Sequence, residues 1–163
     1  MTNSFPSFAD HSKVWIYGAS QAIPSDKASF IQSKLSAFTA DWTSHQNKLH
    51  AEAHLINDYF LVFMVDESQN EISGCGIDKS VSLVREIADL TGIDFFNRMA
   101  IYLFVNDKVL LTNKQEVVEK LNQGLIDENT LYFDNLVANN HQYQNNWLKP
   151  IKQSWFYNQV LSK

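Results

Sequence analysis

The apolar run at residues 59–65 constrains the fold of this chain more than any other segment. Its sequence, YFLVFMV, consists of aromatic and aliphatic side chains without a charge. A short continuous apolar run is typical of a strand that is buried on both faces. It is far shorter than the roughly 20 residues that cross a bilayer. We therefore predict a central, buried strand in a sheet.

A strand and a helix are predicted near the start of the chain. Lys13–Gly18 is a short β-rich segment, and Pro24-Ser25-Asp26 is typical of the beginning of a helix. Apolar side chains then recur at steps of three and four residues, which predicts one apolar helix face. That face consists of Phe30, Ile31, Leu35, Phe38 and Trp42.

Turn and cap residues organise the middle of the chain. Residues 49–57 alternate loosely and are predicted to form a strand that meets the central strand at Asn57-Asp58. A helix with apolar positions at helical spacing is then predicted to end at Gly92. Asn106-Asp107, which lies between two apolar runs, predicts a hairpin turn.

The last third of the chain is predicted to contain a helix, a strand and a helical tail. Asn113 with Glu116 resembles a capping box, and that helix is expected to end near Gly124. Residues 131–137 are predicted to form a strand, and Pro150 is expected to break the tail into two helices packed on the sheet. The aromatic side chains of the tail fill the core or form a partner-binding surface: Trp147, Trp155, Phe156 and Tyr157.

The order of these elements predicts an α+β fold. Two strands follow the first helix before the second helix begins, which matches a ferredoxin-like, split β-α-β core with a mixed or antiparallel sheet and helices on one face. Extra strands and the C-terminal helical tail are expected to follow. No Gly/Ser-rich linker or repeat divides the chain, so residues 1–163 are expected to form one domain.

Composition narrows the possible partners and the cellular location. Thirteen Lys and Arg against eighteen Asp and Glu give a net charge of -5, which disfavours nucleic acid as the ligand. One cysteine cannot form an internal disulfide, and the first residues lack the pattern of a secretory signal. We therefore expect a cytoplasmic protein without membrane insertion. Because aromatics reach 13%, some rings are expected in a groove or an interface.

Two glycines bracket the only cysteine in the segment SGCGIDKS at residues 73–80, which is predicted to lead into a helix. In one interpretation, Cys75 is a nucleophile with a lowered pKa, His45 is its base, and Asp66 or Asp78 orients the base. In the other, Cys75 is a small buried residue and Asp78 or Ser80 is the N-cap. The alternative role for His45 is to cap the C-terminal end of the preceding helix. The residues predicted to approach a ligand are Ser73, Gly74, Gly76, Lys79 and Ser80.

Two other patterns are weaker. The sequence GIDKS ends in Lys-Ser before a helix, but a Walker loop requires Gly directly before the Lys, and Asp78 occupies that place. His50 and His54 would share a helix face, but on the predicted strand they lie roughly 13 Å apart, too far for one metal ion. We therefore predict no metal and no cofactor. Asp66-Glu67, at a strand end, suits either an acid/base role for Asp66 or a turn cap.

Several short patterns are spread over nearly the whole chain: WxxHxxxL from Trp42, Asp66-Glu67, SGCGIDxS from Ser73, Asn135-Leu136-Val137, and WxxPxxxSW from Trp147. Taken together, they resemble an uncharacterised family of small Bacteroidota proteins. Members of this family often carry the label "ABC transporter ATPase". Because neither a Walker loop nor the Leu-Ser-Gly-Gly-Gln type of motif occurs here, we interpret the label as a misnomer. The resemblance implies no activity or substrate.

The sequence leaves two classes of function open. Abundant aromatic residues, low charge and an incomplete catalytic set favour a non-enzymatic binding or adaptor domain for a protein partner or small molecule. The alternative is a small thiol-dependent transferase or hydrolase that uses Cys75 with His45 and Asp66 or Asp78. In that case these groups must converge within hydrogen-bond reach in a pocket.

Overall fold

The computed structural model describes residues 4–44 and 46–161 of the chain. The strands are β1 Lys13–Gly18, β2 Thr43–Ser44, β3 Asn47–Lys48, β4 His50–Ile56, β5 Phe60–Asp66, β6 Ile101–Val105, β7 Lys108–Thr112, β8 Leu131–Phe133 and β9 Leu148–Pro150. The helices are α1 Ser25–Asp41, α2 Gly74–Thr91, α3 Lys114–Asn122, α4 Asn140–Asn146 and α5 Tyr157–Leu161, with a 3-10 turn at Ile151–Gln153. None of the helices in these ranges is both long enough and apolar enough to cross a membrane.

β5 forms the middle of a three-stranded antiparallel sheet, as the apolar run predicts. β1 pairs along one side of β5 and β4 along the other. The side chains at 60–65 are all buried, because layers of structure cover both faces of this sheet. Asn57 and Asp58 form the predicted turn before β5 with φ values of 55° and 62°, a left-handed conformation that these two residue types tolerate.

α1 and α2 cover one face of this sheet. Ile31 and Leu35 of α1 and Ile87 of α2 pack in one cluster with Phe63 of β5. Trp42, directly after α1, is also buried there, whereas Phe30 is exposed. The predicted apolar face of α1 is therefore wrong at Phe30 and right at its centre.

A second, four-stranded antiparallel sheet covers the opposite face, in the order β7-β6-β8-β9. Alternate β6 residues point to opposite faces of this sheet: Tyr102 packs between the sheets with Phe60 and Phe133, and Leu103 packs outside them. The predicted hairpin turn joins β6 to β7, where Asn106 and Asp107 have φ values of 53° and 61°.

The outer face of the second sheet is covered by α3 and the tail of the chain. Val117 of α3 and Phe156 and Val160 of the tail are buried in that layer. The tail packs on the sheet as predicted, but Pro150 lies in β9, opposite Leu131, instead of between two helices. β9 is an edge strand, where a missing backbone N–H is tolerated. The strand predicted at 131–137 ends at Phe133.

The α+β prediction is confirmed, while the ferredoxin-like arrangement is not. β5 lies between β1 and β4, as a split β-α-β unit requires. A ferredoxin-like sheet also needs a fourth strand on the free side of β1. After α2, however, the chain crosses to the second sheet as β6, so that place beside β1 is not filled by a strand within the described ranges.

Candidate functional site

The segment around Cys75 is the first turn of α2. Ser73 is the N-cap, and its hydroxyl accepts a hydrogen bond from the Gly76 amide at 3.2 Å. The prediction that Asp78 or Ser80 caps the helix is therefore wrong. The helix begins earlier because the Ser44 hydroxyl accepts from the Ser73 amide at 2.8 Å and fixes the capping residue.

Cys75 is exposed, so the alternative interpretation of a buried thiol is wrong. Asp78 is also exposed. Within the described ranges, no hydrogen bond joins Cys75 to Asp66 or to Asp78. His45, the predicted base, lies outside the described residues. The catalytic role of these four residues stays a prediction.

Except for Gly74, the residues predicted to bind a ligand make contacts within the protein. The Gly76 carbonyl accepts from the indole of Trp42 at 2.9 Å, and a Cβ on this glycine would lie 2.9 Å from Ile72. The Lys79 ammonium donates to the Thr43 carbonyl at 3.3 Å and to its hydroxyl at 3.2 Å. The hydroxyl of Ser80 donates to Ile77 in its own helix at 2.6 Å. Gly74 faces open space.

Asp66 belongs to a separate polar cluster at the end of β5. Its carboxylate accepts hydrogen bonds from the Ser68 hydroxyl at 2.5 Å and the Ser68 amide at 2.9 Å. His50 and His11 lie 3.5 Å and 3.7 Å from it. The Ser68 bonds, with a smaller contribution from the two imidazoles, lower the pKa of Asp66 from its ordinary value. Asp66 thus caps the turn after β5.

A cleft of about 810 Å³ runs along the outer side of β4, lined by polar residues that include Lys48, His50, Glu52 and His54. His54 Nε2 lies 2.9 Å from Glu52 Oε1. No group of three or more His, Cys, Asp or Glu in the described part of the chain could hold a metal ion.

A larger groove, of about 1050 Å³, runs along the opposite side of the sheet beside β1. Its walls come from β1, α2, β6, β8, the segment between α2 and β6, the turn after β8, and the tail. Large apolar side chains remain exposed in this groove: Phe96 at 38%, Trp155 at 46% and Leu136 at 75%.

The charges that line this groove are mainly positive, although the chain is acidic overall. Arg85 and Arg98, the only two arginines of the chain, both line it. Arg85 lies over the ring of Phe96, 5.5 Å from its centroid. In the described ranges neither arginine has an acidic partner. The acidic side chain in the lining, Asp134, pairs with Lys149 at 2.7 Å.

Sequence reasoning did not find this groove, because its walls come from segments that are far apart along the chain. A weak signal was present: the two arginines flank Phe95-Phe96, and all other strongly basic side chains of the sequence are lysines. Arginine is the cation that stacks on aromatic rings and binds carboxylates in a fixed fork geometry.

The chain was compared with protein-family models, with curated proteins and with solved structures, and nothing matches. Function is therefore inferred from the geometry of the groove.

Proposed function

We propose that this protein is a non-enzymatic binding domain that holds a segment of a partner protein in the groove beside β1. The supporting observation is that exposed Phe96, Leu136 and Trp155 share one groove with both arginines of the chain. Exposed apolar groups of this size in one concave surface mark a binding site. Trp and Arg are also the residues that most often dominate binding energy at protein interfaces.

A random peptide library displayed on phage tests this function. Selected peptides are titrated into the labelled protein, and the shifted amide resonances are mapped. We expect shifts at residues of the groove beside β1. A selection that returns no binder, or binders that shift only the residues of the cleft beside β4, would refute the proposal.

Two exposed leucines provide a matched pair of variants for this test. Leu136 lines the groove and is 75% exposed, while Leu125 is 64% exposed outside it. Leu136→Ala should weaken binding by about tenfold, since covering a leucine is worth roughly 1.5–3 kcal/mol. Leu125→Ala should leave the affinity unchanged.

The net charge of -5 supports a protein partner over nucleic acid, since an acidic chain repels phosphates at long range. We propose that the partner is met in the cytoplasm, because the single cysteine needs no oxidising compartment.

The exposure of Cys75 in the first turn of α2 favours a second candidate, a thiol-dependent transferase or hydrolase. Unpaired amides at a helix start stabilise a thiolate. The test is the rate of alkylation of Cys75 at neutral pH. A rate no faster than that of a free peptide thiol would remove this candidate.

A further inference from the structure

The side of β1 that faces away from β5 is not covered by another strand in the described part of the chain. In an antiparallel pair, alternate residues direct both their N–H and their C=O toward the partner strand. The Ala19 amide donates to Tyr59 at 2.7 Å, before β5, and the Val14 amide donates to Ala138 at 3.1 Å, on the other side. Ile16 and Gly18 therefore direct their backbone groups outward, as Val14 does, into the groove.

This free edge is bounded at both ends. At the start of β1, Lys13 forms a bridge with Asn139. Just beyond its end, the Ser20 amide donates to the Asp94 carbonyl at 2.8 Å. Between these points, no hydrogen bond to the outward backbone groups of Ile16 or Gly18 is found within residues 4–44 and 46–161. The gap matches the place that a fourth strand would fill.

The groove walls determine which side chains a strand in this gap would present. Successive strand residues point to opposite faces of a sheet. On the α2 side, an added strand meets Tyr17, Arg85 and Phe96; toward the second sheet, the groove lining includes Tyr102 and Phe133, which are themselves buried. Arginine on the α2 side suits a carboxylate, and the apolar lining toward the second sheet suits an apolar side chain.

We propose that β1 is a strand-addition site, at which an extended segment of a partner protein with alternating acidic and apolar residues pairs with Ile16 and Gly18. This inference rests on the proposed binding function of the groove and names its mode and partner chemistry. Backbone hydrogen bonds supply affinity in such complexes, and alternate side chains supply specificity.

The test uses a synthetic peptide in which Glu and Val alternate, with a matched peptide in which Lys replaces Glu. The readouts are the affinity and the hydrogen exchange of the Ile16 and Gly18 amides, which should slow when the Glu peptide binds. Two methylated peptides are then compared, one with methyl groups on the backbone nitrogens of the odd-numbered residues and one with them on the even-numbered residues. Only one of these two sets of amides faces β1, so methylating that set should lower the affinity at least tenfold and methylating the other should change it little. The Lys peptide should not bind.

The double variant Arg85→Gln, Arg98→Gln should bind the Glu peptide about tenfold more weakly than the unaltered protein does. Rising salt should weaken binding to the unaltered protein, because the charges of the two arginines are exposed. Since the methylated peptides leave the protein unaltered, a variant that fails to fold does not affect the test. Failure of the Glu peptide to bind, or an equal loss of affinity in both methylated peptides, would overturn strand addition. Library peptides that bind in the groove without slowing exchange at the Ile16 and Gly18 amides would also overturn strand addition, but they would support the proposed binding function. The absence of any library binder would refute both the binding function and strand addition.

Discussion

The two edges of the three-stranded sheet are closed to different degrees. At the β4 edge, the side-chain amide of Gln32 on α1 takes the place of a neighbouring strand: its oxygen accepts from the Leu55 amide at 2.9 Å, and its nitrogen donates to the Ala53 carbonyl at 3.2 Å. At the β1 edge, Ile16 and Gly18 find no such group in the described ranges. One helix side chain can therefore close a sheet edge, as Gln32 does at β4.

The surfaces beside the two edges also differ, both in the residues that line them and in how far their charged groups are paired. Most residues that line the cleft along β4 are polar, and its acid Glu52 is already paired with His54. The groove along β1 is aromatic, and its two arginines have no acidic partner among the described residues. Unused hydrogen-bonding groups, apolar surface and charge thus coincide on one side of the sheet.

The largest expected difference between the edges lies in amide hydrogen exchange of the unbound protein. Trp15 and Tyr17, which face β5, and Leu55, which is held by Gln32, should exchange slowly. Ile16 and Gly18 should exchange at least roughly a thousandfold faster, since core protection approaches the global stability of at least about 5 kcal/mol. Comparable protection at all five amides, measured by NMR, would show that the β1 edge is closed.

A substitution at Gly18 should have the next largest effect. A Cβ at this position would lie 2.4 Å from the Tyr102 hydroxyl oxygen, and that hydroxyl donates to the Ala19 carbonyl in the core at 2.8 Å. Gly18→Ala should lower the free energy of unfolding by about 2–3 kcal/mol, because the ring must shift and overpack its surroundings. Urea titration measures this change.

Gly74→Ala provides the matched control for that variant, since a Cβ there meets nothing within 4 Å. It should leave stability unchanged or raise it by less than about 1 kcal/mol. A similar loss in both variants would contradict the proposed clash with Tyr102.

Opening the β4 edge should have a smaller cost. Gln32→Ala removes both bonds to the β4 backbone and should lower the free energy of unfolding by about 1–2 kcal/mol, with faster exchange at Leu55. Gln32→Glu retains an acceptor for Leu55, so exchange at that amide should stay slow. The neighbouring exposed Ser33→Ala is the control and should change stability by no more than about 0.5 kcal/mol. If hydrogen exchange at the Leu55 amide is the same in Gln32→Ala as in the unaltered protein, the side-chain amide of Gln32 does not close this edge.

The smallest expected effect concerns pH at the corner where β4 and β5 meet. The pKa of Asp66 is lower in the folded protein than its ordinary value of 3.8. Its contribution to stability is therefore fully present above the unfolded pKa and is lost as pH falls through the lower, folded value. Asp66→Asn should destabilise the protein at neutral pH, and this difference should shrink as the solution is acidified below about pH 4.

Denaturant titrations over a range of acidic pH values measure the Asp66 effect. Asp89→Asn, on the exposed surface of α2, serves as the control. If the two variants show the same pH profile, the Ser68 hydrogen bonds do not stabilise the Asp66 carboxylate.

Local signals predicted the elements well where the chemistry is local. The continuous apolar run specified β5, the Asn-Asp pairs specified two turns, and Gly92 ends α2 with a φ of 73°. Asn113 also caps α3 as predicted, accepting from the Glu116 amide at 2.9 Å. Each of these features depends on the conformational preferences of a few neighbouring residues.

Signals were missing where a long-range contact decides the structure. The Ser73 cap depends on Ser44, and the strand β9 depends on pairing with β8. Gln32 is a polar residue of α1 that fits no sequence motif, yet its bonds to β4 span more than 20 positions of sequence. The hydrophobic periodicity of a sequence does not indicate long-range contacts of this kind.

By itself, the sequence determined the α+β class, the buried strand at the centre of the sheet, the caps at Gly92 and Asn113, the two Asn-Asp turns, and the acidic charge. Tertiary structure decided that the chain leaves the first sheet after α2, that one sheet edge is covered by Gln32, and that both arginines line the groove at the other edge. Periodicity reports which face of an element is buried, but which element covers that face depends on how distant segments fill space together. For the same reason, only the tertiary structure shows that no other strand of the described residues covers the outer edge of β1.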